Sequence, residues 1–167
     1  AILGGRSVIQ SQSDTDGSQQ KETTSNAHTS NAIQGNIATA ADSKGIKILV
    51  VEDDKFLREL LVRKLYSEGF TVESAIDATA AFEILGRFIP SIILLDLILP
   101  GIDGFEILAR VKKNNTLVTI PVIILSNLGQ KEDIERAMSL GATDFMVKAN
   151  FTLDEIVNKV RKVVGGK

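Results

Sequence analysis

"LLDLILPGIDGFE", residues 94–106, holds the end of an apolar run, one aspartate, a Pro-Gly turn and the start of a second apolar stretch. With Ile92 and Ile93 ahead of it, Leu94–Leu95 completes a short continuous apolar segment, as expected of a strand covered on both faces. Asp96 halts that segment. A carboxylate in apolar surroundings is costly unless a partner or a metal compensates it. Either the remaining sequence supplies that partner, or Asp96 is only a loop residue.

On both sides of this stretch the same strand-then-helix texture repeats. "IKILVV" (46–51) reads as a buried strand, and "DKFLRELLVRKLYSEG" (54–69) places Leu57, Leu60, Leu61 and Leu65 at helical spacing, with Gly69 at the expected helix stop. "FTVESA" (70–75) alternates as a strand, and "DATAAFEILGRF" (77–88) is helical in pattern. Beyond "SIILLD" (91–96) come "GFEILARVKKN" (104–114, helix), "PVIILS" (121–126, strand) and "QKEDIERAMSLG" (130–141, helix). "TDFMVK" (143–148, strand) and "TLDEIVNKVRKVV" (152–164, helix) complete the series. Strands and helices in strict alternation, joined by right-handed crossovers, predict an α/β domain: a five-stranded parallel sheet, doubly wound by five helices.

Residues 1–45 differ. "QSQSDTDGSQQKETTSNAHTSNAIQGNIATAADSK" (10–44) is rich in Ser, Thr, Gln, Asn and Ala and has no aromatic residue. Such a segment buries too little apolar surface to offset its ordering entropy, so a flexible tail or linker is expected over 1–45 and the folded domain over 46–167. His28, the sole histidine, lies in that tail, so the folded part offers no phosphohistidine. The chain opens on Ala1 without a basic run, which reads as a processed, excised or engineered start and a poor signal peptide. Of the 167 residues 44% are hydrophobic and 24% charged, enough for a real core under a solvated surface. A net charge of −2 gives no electrostatic footprint for direct nucleic-acid binding. The absence of cysteine excludes disulfides and thiolate sites and is compatible with a cytoplasmic location. No apolar stretch reaches the roughly 20 residues that span a membrane. Asn114 and Asn150 head glycosylation-type tripeptides, which are common by chance.

In an open parallel sheet, ligands bind beyond the carboxyl ends of the strands, where strand order reverses. At those ends stand Glu52, Asp53 and Asp54, then Asp96, then Ser126 and Asn127, then Lys148. Each alone has an ordinary reading: helix cap, loop acid, strand-end hydroxyl, solvated lysine. Together on one edge they form a coherent set. Carboxylate oxygens suit Mg²⁺ (or Mn²⁺), and a carboxylate beside that cation can attack a phosphoryl group to form an acyl phosphate. A lysine and a hydroxyl would stabilise the charge on the phosphoryl oxygens.

The ordered set "ILVVEDD", "LLDLILPGIDGFE", "PVIILS" and "DFMVK" resembles the receiver domain of two-component response regulators, over residues 46 to about 164. The resemblance implies a flavodoxin-like strand order 2-1-3-4-5 and makes Asp96 the phosphoacceptor. It makes Asp53 a direct metal ligand, has Glu52 act through metal-bound water, and has Ile98 offer its backbone carbonyl. Lys148 and Ser126 would contact phosphoryl oxygens, Phe145 would be the aromatic switch residue, and Asp54 would cap the first helix. A histidine kinase or histidine phosphotransfer protein would be the donor. A downstream protein would read the face formed by the fourth helix, fifth strand and fifth helix; such domains act alone or pair as homodimers through that face.

The sequence departs from the family in three places. Lys148 is followed by Ala149 where a proline is usual, so its peptide is either trans or a strained cis bond. Asn127 stands where a small residue is usual, its amide narrowing access to Asp96. Ile98 and Leu128, two residues beyond Asp96 and Ser126, offer no side-chain hydrogen bond to an attacking water, which implies a long-lived acyl phosphate. These departures keep open a degenerate receiver acting as a phosphorylation-independent protein-binding scaffold. A turnover phosphatase is disfavoured by Ile98, because those enzymes carry a second aspartate there. A flavin-type phosphate cradle is disfavoured by the acidic "EDDKF".

Overall fold

The structure, a computed structural model, describes residues 45–166. The expected linker over residues 1–45 and its His28 therefore lie, Gly45 excepted, outside the described residues. Five strands form one parallel sheet: β1 (Lys47–Val51), β2 (Thr71–Ala75), β3 (Ile92–Leu95), β4 (Val122–Ser126) and β5 (Asp144–Val147), in the order β2-β1-β3-β4-β5. Every pairing is parallel, with Val51 opposite both Ala75 and Leu95, and Ser126 opposite Val147. The central strands β3 and β4 are buried along their whole length, the reason they read as uninterrupted apolar runs.

Period-2 alternation sends successive side chains to two separate cores. Leu49, Val51, Ile93, Leu95 and Ile124 pack under α2 (Ala78–Leu85), α3 (Gly104–Lys113) and α4 (Lys131–Ser139). Ile48, Val50, Leu94, Ile123 and Leu125 pack under α1 (Lys55–Ser67) and α5 (Leu153–Gly165). Each helix start but that of α4 is fixed by a side-chain cap. Asp54, Asp77 and Asp103 accept N–H bonds from Leu57, Ala80 and Glu106, and Thr152 with Glu155 forms a capping box. Gly69, one residue past the α1 cap, has φ 90°, which a side chain would strain.

Two boundaries differ from expectation. The second helix ends at Leu85 with Gly86 as its cap, short of Phe88. Glycine is a weak helix former, and Pro90 pushes the preceding residue away from helical geometry. Phe88 instead turns back against the α2–α4 core. After β5 the chain enters a short 3-10 turn over Lys148–Asn150, and no cis peptide occurs among the described residues. The Lys148–Ala149 bond is thus trans, the cheaper of the two forms considered.

Candidate functional site

Strand order reverses between β1 and β3, and their carboxyl ends carry the acids. One carboxylate oxygen from each of Glu52, Asp53 and Asp96 lies within 4.8 Å of the other two. Glu52 and Asp96 are buried, at 2% and 4% exposure, while Asp53 is exposed. Three hard oxygens, two from the interior and one open to solvent, fit a divalent cation that keeps part of its water shell.

Asp96 is held on all sides. Its backbone N–H donates to Val51 O, extending the β1–β3 ladder one residue past the strand. Its Oδ1 accepts the Ile98 N–H at 3.1 Å, and its Oδ2 accepts from Lys148 Nζ at 2.6 Å. Lys148 also reaches Glu52 Oε2 at 2.6 Å, and Glu52 Oε1 accepts the Asp54 N–H at 3.1 Å. The compensating partner that Asp96 required is this ammonium.

Burial pushes the Glu52 carboxyl above its ordinary range, and the Asp96 charge adds to that; the Lys148 contact and the Asp54 N–H pull the other way without prevailing. Burial alone would depress the Lys148 ammonium, but its bonds to Asp96 and Glu52 and their charges outweigh it, so Lys148 is held charged above the usual lysine range.

Glu52, Asp53, Asp96 and Lys148 are therefore brought together. Ser126, fully buried at the end of β4, accepts the Leu128 N–H at 3.4 Å. Phe145 on β5 is half-buried against the α2–α4 core. Ile98 is 52% exposed, and what it gives Asp96 is its backbone N–H. Asp54 caps α1, as expected.

Two contributors escape a reading of the sequence. Arg58 Nη1 donates to the backbone carbonyls of Glu52 at 2.9 Å and Asp53 at 3.1 Å, tying the acidic turn to α1. Its position four residues after Asp54 is a signal, because helical side chains lean back toward the N-terminus. Gly104 opens α3 directly against the Asp96 backbone: a Cβ there would collide with the carbonyl oxygen of Asp96 and with Leu97 Cα. A glycine after Asp103 marks a helix start in the sequence but not this close approach.

Residues 48–161 match the family model described as the response regulator receiver domain. The chain belongs to this family. The receiver is 38% identical over 117 residues to the transcriptional regulatory protein TcrA of Mycobacterium tuberculosis, covering 70% of this chain and 45% of TcrA. It spans about half the length, or less, of the curated relatives it matches, among them the DNA-binding regulator RpaA of Synechocystis, 31% identical over 118 residues, with 71% of this chain and 48% of RpaA covered. Among solved structures it is similar to the Mn²⁺-bound form of response regulator Rcp1, with a TM-score of 0.63, 29% identity and 70% and 92% of the two chains covered. None of the helices is long and apolar enough, among the described residues, to cross a membrane.

Proposed function

We propose that this receiver is a phosphorylation-controlled switch in which Asp96 accepts the phosphoryl group of a phosphohistidine on a histidine kinase or histidine phosphotransfer protein. A carboxylate oxygen of Asp96 attacks phosphorus as the phosphorus–nitrogen bond breaks, and the imidazole leaves with the electron pair, giving an acyl phosphate. The observation that carries this reading is the position of Asp96, 4% exposed, between two further carboxylates and an ammonium at 2.6 Å.

Glu52, Asp53 and Asp96 would hold Mg²⁺ (or Mn²⁺), with the Ile98 carbonyl as a further oxygen; Asp53 would bind directly and Glu52 would act through water. When bound, the cation neutralises charge on the phosphoryl oxygens. The Mn²⁺-bound form of Rcp1 supports this choice of ion. Lys148, already charged and pointing at Asp96, meets one phosphoryl oxygen, and the Ser126 hydroxyl meets another. Drawing Ser126 toward the phosphoryl group favours an inward Phe145 and shifts the population at the α4–β5–α5 face, which a downstream protein, a second copy or a joined output domain reads.

Intact-mass measurement after incubation with a small-molecule phosphodonor tests this. The chain should gain one phosphoryl group with Mg²⁺, none in chelator, and none as Asp96→Asn. An unmodified parent would leave the scaffold reading, and sustained donor hydrolysis would mark a phosphatase.

A further inference from the structure

Asp53 is the exposed member of the acid cluster, and among the described residues its side chain makes no hydrogen bond or ion pair. The backbone beneath it is therefore what aims its carboxylate. On the strand side, the Glu52 N–H donates to Ala75 O at 3.0 Å, and the Asp54 N–H donates to Glu52 Oε1 at 3.1 Å. On the helix side stands Arg58, whose own N–H closes the first turn of α1 on Asp54 O at 2.9 Å. A single nitrogen of its guanidinium, Nη1, donates to two successive carbonyls, Glu52 O at 2.9 Å and Asp53 O at 3.1 Å. Among the described residues, Arg58 alone bonds both of the peptide groups that flank the Asp53 Cα.

Resting on the metal-site reading above, we propose that Arg58 is a positioning residue of that site: it clamps the turn so that the Asp53 carboxylate faces Glu52 and Asp96, and thereby sets the affinity for the divalent cation. The guanidinium has no lone pair to give an ion, so it acts only through the chain it holds. Charge-assisted bonds from one planar, rigid group fix the two carbonyls relative to each other better than water can. Without them both carbonyls turn to solvent, the exposed carboxylate samples other directions, and cation binding has to order it first. Outer partners that orient metal ligands in this way commonly govern affinity by about 10–100-fold. The charge of Arg58 works in the opposite direction, because a cation close to the site repels the incoming ion. Removing Arg58 therefore separates the two effects by sign.

Calorimetric titration of the full chain with MgCl₂ at fixed ionic strength tests this. Arg58→Met keeps the aliphatic stem and loses both the donors and the charge, and it should bind about tenfold more weakly than the parent, the low end of that range. Tighter binding is what loss of the charge alone would give, and it would overturn the proposal. A variant that melts lower yet binds Mg²⁺ as tightly as the parent would also overturn it, leaving Arg58 a contact of the fold only. Should Arg58→Met fold poorly, the parent chain still decides. If the clamp strengthens ion binding, the ion strengthens the clamp by the same factor. Solvent exchange of the Arg58 guanidinium protons, followed by NMR, should then slow as Mg²⁺ saturates the site, and a rate indifferent to Mg²⁺ would refute the clamp. An Asp53→Asn control separates the two levels. If the parent shows no saturable binding that Asp53→Asn weakens, the metal-site reading itself falls and takes this inference with it. If it does, and only the Arg58 results disagree, the positioning role alone is wrong.

Discussion

A carboxylate at the end of a buried strand survives by being paired, and the pairing of Asp96 and Glu52 governs the chemistry at the residue scale. Because burial, followed by the Asp96 charge, raises the Glu52 carboxyl, protons compete for it at higher pH than for an ordinary glutamate. Divalent-cation affinity should hold above that raised value and fall as pH drops through it. Glu52→Gln should flatten the profile in an Mg²⁺ titration repeated from neutral to mildly acid pH. An unchanged profile would remove Glu52 from the site. Ile98, 52% exposed beside Asp96, offers an attacking water no hydrogen bond. Replacing it, Ile98→Asn, should speed decay of the acyl phosphate severalfold, up to about 100-fold by analogy with general-base positioning. Faster hydrolysis in the parent than in the variant would contradict the role given to this side chain.

Elements, rather than single residues, set where the charges stand. Arg58 of α1 fixes the carbonyls of the acidic turn, and Gly104 of α3 touches the backbone of Asp96. Adding a methyl at Gly104 forces backbone apart, so Gly104→Ala should lower stability by about 1–3 kcal/mol in urea unfolding, the usual range for overpacking. A neutral result would show that α3 is not seated on the Asp96 loop. On the opposite layer, Glu68 bonds Lys64 at 2.7 Å and Arg161 at 2.8 Å, linking α1 to α5. Those two bonds hold the Glu68 carboxyl below its ordinary 4.5. Its contribution is present above that ordinary value and is lost as pH falls through the lowered one. Glu68→Gln should lower the melting temperature near neutral pH, by an amount that shrinks in acid; a constant difference would contradict the pairing. The alternating strands and helices are legible in the sequence because strand and helix periods differ and Asp caps mark three of the helix starts. The early end of α2 is marked locally by Gly86 and Pro90 but overridden in reading by the helical pattern that runs on to Phe88, and no local pattern marks the Lys148–Asn150 turn.

For the whole molecule, a parallel sheet converts sequence distance into proximity. Lys148 and Asp96 lie 52 positions apart and meet because β3 and β5 end on the same edge. That edge can be read from strand ends alone, which is why the sequence by itself singles out Glu52, Asp53, Asp96 and Lys148. The double engagement of Lys148 is not legible there, because it turns on rotamers and not on strand order. Core integrity underlies the arrangement: Leu94, 1% exposed on β3 two residues before Asp96, should cost about 2–5 kcal/mol on Leu94→Ala, measured by chemical unfolding. The central claim is that Asp96 is the nucleophile. Treating the phosphodonor-reacted chain with borohydride and sequencing its peptides by mass spectrometry tests this directly, because an aspartyl phosphate is reduced to homoserine. Homoserine at position 96, dependent on Mg²⁺, is the predicted result; homoserine at another aspartate, or at none while phosphoryl uptake persists, would contradict it.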